Sequence, residues 1–271
     1  MSPGFGVLLS VMLLCSCDIA AQQELAGATV VRNVEGNVIV SSDVNRPFYF
    51  ALLALSETYG WVIDYEDPIY TGPEIEDTTD PRWLKEHPDG RHVYSPASGA
   101  FSADLGRMGR GNPDEQDSVK KLLDLYNHTS SPGFYSMMRT TGGRVVITGR
   151  SRSQSPSGFV PPLSQQMLPS PDSETMSKAL QELIARCGSA GGVPIEFGIG
   201  PTDPAATGEV AGYNGPITCR EQLGRILAVL RVRSRYALLY DINRHAYYLS
   251  IVPAHRLVPG PDGKPTVVPL H

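Results

Sequence analysis

The sequence has no apolar run long enough to span a bilayer, which takes about 20 residues. It also lacks a dense run of lysine or arginine. The 23 Lys and Arg are outnumbered by 28 Asp and Glu, a formal net charge of -5. That balance argues against a nucleic-acid binder, which should carry a basic patch. Its densest basic stretch, "GRSRSQS" (Gly149 to Ser155), reads as part of a solvated linker. Catalytic signatures are missing too. There is no G-x-S-x-G, no H-E-x-x-H and no EF-hand loop. "GRMGRGNP" (Gly106 to Pro113) lacks the G-K-[ST] ending of a phosphate loop. No catalytic residue, cofactor site or metal site is therefore assigned. Aromatic residues are few, at 8%, yet 41% of the chain is apolar, enough to build a core.

What is present begins with "FGVLLSVMLL" (Phe5 to Leu14), which fits the apolar centre of a signal peptide spanning residues 1–22. The preceding "MSPG" carries no positive charge. "LCSC" (Leu14 to Cys17) resembles a bacterial lipobox, which would make Cys17 the lipid attachment site. Secretion with cleavage near Ala21 is the alternative. Cys187 and Cys219 complete a count of four. In an exported chain an even remainder reads as a disulfide. Such a bridge closes a loop of about 30 residues and stabilises by roughly 3–4 kcal/mol.

Periodicity then shows one pattern twice. In the first half Phe48, Leu52, Leu55 and Tyr59 share a helical face, with Asn45 near the start and Gly60 at the end. "WVIDY" alternates as a strand, with Trp61, Ile63 and Tyr65 on one face and Val62 and Asp64 on the other. A second helix is expected after Asn112 as cap and Pro113 as first residue, with Glu115 behind them and a stripe of Val119, Leu122, Leu123 and Tyr126. Gly142-Gly143 marks a hairpin between "FYSMMRTT" and "RVVIT". In the second half Met176, Ala179, Leu180, Leu183, Ile184 and Cys187 form a stripe, and "VPIEF" is the strand. Thr218 and Glu221 form a capping box ahead of Leu223, Ile226, Leu227 and Leu230. "YALLYD" and "AYYLSI" make a closing hairpin. A leading strand is expected in each half, at "GNVIVSS" and near "PLSQQML".

The fold class expected is α+β: two small two-layer sandwiches, each in βαβ-αββ order, with two helices on one face of a small mixed sheet. The expected domains are residues 28–148 with an insertion at 66–111, a Ser/Pro-rich linker at 149–172, a second unit at 173–257 and a Pro-rich tail at 258–271. This order, seen best in Glu209 to Ile251, resembles the short N-terminal (STN) domain of secretins and TonB-dependent transducers. The resemblance lies in hydrophobic spacing and covers about 180 residues. It implies a protein-contact module of the cell envelope with no catalytic residues. No barrel or pore-forming segment is read alongside it, so the signalling-plug role is not carried over.

The insertion gathers Glu66, Asp67, Glu74, Glu76, Asp77, Asp80, His87 and His92, ligand types without a ligand spacing. It reads as a solvated acidic loop. Tyr236, Tyr240, Tyr247 and Tyr248 crowd the last hairpin, where cross-strand pairs stabilise a sheet. His128 follows a helix, where a histidine interacts with the dipole, and His245 sits in the hairpin turn; neither these nor His255 is assigned a catalytic role. The expected function is an exported, lipid-anchored, non-catalytic module that binds an envelope protein, possessing no cofactor. The expected location is the periplasm or a membrane-anchored state, otherwise secreted. The alternative is an envelope binding protein that holds a glycan, peptide or metal in 66–111.

Overall fold

A computed structural model describes residues 29–97, 99–107, 114–198, 208–260 and 264–270. The signal peptide, Cys17, Asn112 and Pro113 lie outside the described residues. The first half runs β1 (Val30–Val34), β2 (Asn37–Ser42), α1 (Pro47–Tyr59), β3 (Ile63–Glu66), β4 (Ile75–Asp77), α2 (Pro81–Glu86), β5 (Tyr94–Pro96), β6 (Phe101–Arg107), α3 (Glu115–Asn127), β7 (Phe134–Arg139) and β8 (Val145–Arg150). Next come β9 (Gln166–Met167), β10 (Glu174–Thr175), α4 (Met176–Gly191), β11 (Ile195–Phe197), β12 (Glu209–Val210), β13 (Ile217–Thr218) and α5 (Cys219–Ala228). The chain closes with β14 (Ser234–Asp241), β15 (Ala246–Pro253), β16 (His255–Pro259) and β17 (Pro265–Pro269).

The fold is α+β. The local signals behave as their chemistry requires. Gly60 ends α1 in the left-handed region at φ 74°, which glycine adopts without strain. The Thr218–Glu221 capping box forms at α5. At α3 the cap is Asp114 rather than Asn112: its carboxylate accepts from the Asp117 amide at 2.9 Å. An Asp one residue before Glu115 can reach that amide, and an Asn three residues before it starts a turn too early. Asn45 is not the cap of α1 either. Arg46 takes that position with φ 59°, and no side chain caps the helix.

The two halves do not make two separate sheets. They share one six-stranded sheet in the order β11-β15-β14-β3-β8-β7. Within each half the pairing is the same: β3 lies parallel to β8, and β11 lies parallel to β15. Each hairpin then places β7 or β14 on the far side. The halves join where β14 runs parallel to β3, with Ala237 opposite Tyr65 and Leu238 opposite Glu66. Because β14 runs with β3, β15 and β11 run against β3 and β8. The second half therefore keeps the lateral order of the first but is turned over.

Turning over one half puts its helices on the other face. Ile63, Tyr65, Val145 and Ile147 pack with Phe48, Leu55, Leu122 and Tyr126 of α1 and α3. Val146, Tyr236, Leu238 and Leu249 pack with Leu183, Leu223 and Ile226 of α4 and α5. Two helices cover one face in each half, as expected, but the faces are opposite and the sheet is sandwiched.

The leading strands stand apart from this sheet. β1, β2 and β6 form a three-stranded sheet, and β9 and β13 form a two-stranded one. The stretch 149–172 is not a free linker. Gly149 and Arg150 complete β8, Ser151 is fully buried, and Leu163 and Met167 join the second core. The described residues of the segment 258–271 are not a loose tail. Its Thr-Val-Val forms β17, paired along β16, and β16 packs on α1. β-branched residues favour that extended state despite the prolines at each end.

Candidate functional site

The central strand β3 carries carboxylates where a buried strand ordinarily carries aliphatics. Asp64, Glu66 and the following Asp67 are all at 0% exposure. Charges this deep must be paired, and each has its own arginine. Asp64 receives Nε and Nη2 of Arg144 at 2.6 and 2.7 Å and the Tyr236 amide at 3.0 Å. Glu66 receives Nε and Nη2 of Arg220, both at 2.7 Å, and the Tyr236 hydroxyl at 2.8 Å. Asp67 receives Arg46 Nε at 2.6 Å, the Tyr65 and Tyr70 hydroxyls at 2.7 and 2.8 Å, and the Tyr240 amide at 3.1 Å. Arg46 also donates to the Tyr240 carbonyl at 2.6 Å, which accounts for its left-handed backbone: that turn aims the side chain into the sheet.

The Glu66–Arg220 pair and the contacts to Tyr236 and Tyr240 tie one half to the other, while Arg144 and Arg46 hold Asp64 and Asp67 from within the first half. A second ion pair between the halves lies at the edge of the seam, where Glu57 of α1 accepts from Arg235 at 3.2 Å and lies 3.3 Å from His255 Nε2. The electrostatics follow the pairing. Burial acts to lower the pKa of Arg220, but the hydrogen bonds and charge of Glu66 outweigh it and the pKa is raised. Burial pushes the Asp64 carboxyl up, against Arg144 and the Tyr236 amide. Burial, then the charge of Glu66, keeps the Tyr236 phenol well above its usual range, so it stays a donor.

Thus Glu66, Asp67 and Glu74 are not in a solvated acidic loop. Glu74 is also buried, accepting from the amides of Gly133 and Arg152 at 3.0 and 2.8 Å and from the Ser151 hydroxyl. Further along the insertion, β4 and β5 form a small hairpin around α2, and β6 joins the sheet of β1 and β2. Asp80 caps α2 through the Arg82 amide at 2.7 Å. Asp77 accepts from the Thr79 hydroxyl and amide and pairs with His92. Trp83 stacks on His87. These side chains are engaged with one another. Among the described residues no group of three His, Cys, Asp or Glu is placed to hold a metal.

Other residues singled out by the sequence are placed as follows. Cys187 and Cys219 are bonded, fastening α4 to the first residue of α5. Tyr236, Tyr240 and Tyr247 are buried in the core with α4 and α5, and Tyr248 is half-buried. His128 lies against the Asp124 carbonyl at the end of α3, and His245 lies 3.3 Å from the Tyr240 hydroxyl. Among the described residues no helix is long and apolar enough to cross a membrane.

Two surfaces among the described residues bear on contact with another molecule. One is a cleft of about 410 Å³ between the β7–β8 turn and α5, with Arg144 and Arg220 in its lining. The other is the outer edge of β7. Asn127 covers part of that edge, its side chain donating to the Tyr135 carbonyl at 2.8 Å and accepting from its amide at 2.9 Å. Along an antiparallel strand every second residue turns its main chain outward, so Met137 and Arg139 face outward with Tyr135. Met138 beside them is 40% exposed. Sequence reasoning missed Arg144, Arg220 and the role of Asn127. The signal available was Asp64 and Glu66 alternating with Ile63 and Tyr65 inside a strand.

Compared with protein-family models, curated proteins and solved structures, the chain matches none of them.

Proposed function

We propose that this protein is an exported, lipid-anchored, non-catalytic interaction module of the bacterial cell envelope that receives an extended segment of a partner along β7. The carrying observation is the terminal position of β7 in the six-stranded sheet, with the outward main chain of Met137 and Arg139 beyond the reach of Asn127. Strand addition at such an edge takes its affinity from main-chain hydrogen bonds and its selectivity from alternate side chains. The resemblance to short N-terminal envelope domains supports the same reading, as does the lipobox-like "LCSC" ending at Cys17. The buried pairs along β3 support a holding role, since they make the scaffold behind the edge rigid. A ligand site in the insertion has less support, because its His and Asp side chains are already paired.

The test is capture from detergent-solubilised envelope with wild type, Cys17→Ser and Met137→Pro. Proline removes the outward N–H at an edge position that tolerates it. Membrane-bound wild type should capture a defined protein, Cys17→Ser should turn soluble, and Met137→Pro should fold but capture nothing. Undiminished capture by Met137→Pro removes the edge from the account.

A further inference from the structure

The cleft between the β7–β8 turn and α5 has the features of a built site. Arg144 and Arg220 each spend Nε and Nη2 on a buried carboxylate. Arg144 Nη2 also donates to the Ser234 carbonyl at 2.7 Å. Among the described residues no acceptor meets Nη1 of either guanidinium, and both residues line the cleft. A planar guanidinium clamped along one edge presents its other donors in a set direction, so a ligand bears little of the ordering cost. The Thr140 hydroxyl accepts from the Arg144 amide at 3.1 Å and keeps its own proton to donate. Among the described residues Arg225 has no carboxylate partner: its Nη2 donates to the Ala211 and Gly212 carbonyls, and its Nε is buried without an acceptor.

One wall is acidic. Glu221 binds the Thr218 amide and hydroxyl through Oε2, and its Oε1 lies 3.4 Å from the Thr141 hydroxyl. Around the cleft, the three guanidiniums of Arg144, Arg220 and Arg225 are thus balanced by the carboxylates of Asp64, Glu66 and Glu221. The site offers directed donors without a net positive field. That suits a monoanion held by hydrogen bonds and disfavours a phosphate dianion, which Glu221 repels. Ile217 of β13 with Gly224 and Ala228 of α5 give an apolar strip, and the helix extends for about 15 Å. Gly224 leaves the strip open: an added Cβ would meet only Arg144 Cδ, at 3.9 Å.

We propose that this cleft binds a carboxylate, delivered as the C-terminal end of a peptide with small apolar side chains. The carboxylate lies on the free donors of Arg144 and Arg220, and the chain end follows the strip past Gly224. A volume of about 410 Å³ is that of a small-ligand pocket, enough for a short chain end and too little for a folded partner. The proposal is independent of strand addition at β7, on the far side of the hairpin.

The test is a calorimetric titration of the purified protein with four probes: acetyl-Ala-Ala, its C-terminal amide, sodium acetate and inorganic phosphate. The free acid is expected to bind at least roughly tenfold more tightly than the amide, the value of a charge-assisted bond that the amide cannot make. Gly224→Leu should fill the strip and abolish binding. Gly224→Ala should melt no lower than wild type and serve as the folding control, since Ala is the better helix former. Acetate binding as tightly as the peptide keeps the carboxylate chemistry and assigns the site to free acids. Equal affinity for acid and amide, a preference for phosphate, unchanged binding by Gly224→Leu, or no binding of the acid at millimolar concentration overturns the proposal.

Discussion

The Glu66 carboxylate and the Arg220 guanidinium stand 154 residues apart in the chain and meet through two parallel hydrogen bonds of 2.7 Å. Their side chains are 0% and 5% exposed. Removing one partner leaves the other charge buried alone. Arg220→Ala is therefore expected to cost about 3–5 kcal/mol, read as a lower denaturant midpoint. Replacing the group together, with Glu66→Leu, Arg220→Met and Tyr236→Phe, should return stability close to wild type, because no orphaned polar atom remains. A single-site loss below 1 kcal/mol contradicts the buried pairing.

The disulfide holds α4 to the start of α5 across a sequence separation of 32. In the chain-entropy model a loop of this size contributes roughly 3–4 kcal/mol. Urea unfolding of Cys187→Ala/Cys219→Ala beside wild type measures it, and an unchanged midpoint rules it out as a stabiliser.

Gly149 lies in β8 where a Cβ would sit 2.6 Å from both Pro68 Cδ and Tyr135 Cε1, with the Pro68 nitrogen at 2.9 Å. Neither Pro68 nor buried Tyr135 can withdraw freely. Gly149→Ala should destabilise by about 1–3 kcal/mol through overpacking, measured by thermal melting. Gly143→Ala, with φ 79° but open space around it, should lose stability through backbone strain alone.

The Asp77 carboxyl is held down to about 2 by the Thr79 hydroxyl, then the Thr79 amide and His92. A depressed folded pKa contributes stability that is fully present above the unfolded value, about 3.9, and is lost as pH falls through 2. Thr79→Val should move the Asp77 titration, followed by carbon NMR, back toward 4 and loosen the β4–β5 hairpin in acid. An Asp77 titration unchanged by Thr79→Val contradicts the hydrogen bonding.

Much of the local architecture was legible because it depends on neighbours in sequence. The stripes Phe48–Leu52–Leu55 and Leu223–Ile226–Leu227, the stop at Gly60 and the Thr218–Glu221 box all form within one or two turns of chain. The merging of the halves was not legible. It depends on β14 choosing β3 as its neighbour, and no residue within either hairpin announces that choice. The acidic run misled for the same reason. By composition Glu66, Asp67 and Glu74 belong in solvent, while the groups that bury them, Arg220, Arg46 and Arg152, come from other elements. "TVV" in the last segment carried a strand signal that the surrounding prolines obscured.

The reading as an interaction module stands on the outer edge of β7, and a photo-crosslinking side chain placed at Met138 in living cells tests it most directly. The account predicts one discrete adduct with an envelope protein, present with the wild-type edge and absent when Met137→Pro is added to the same chain. An adduct that persists with Met137→Pro, or none at all from a chain shown to be folded and exported, contradicts it.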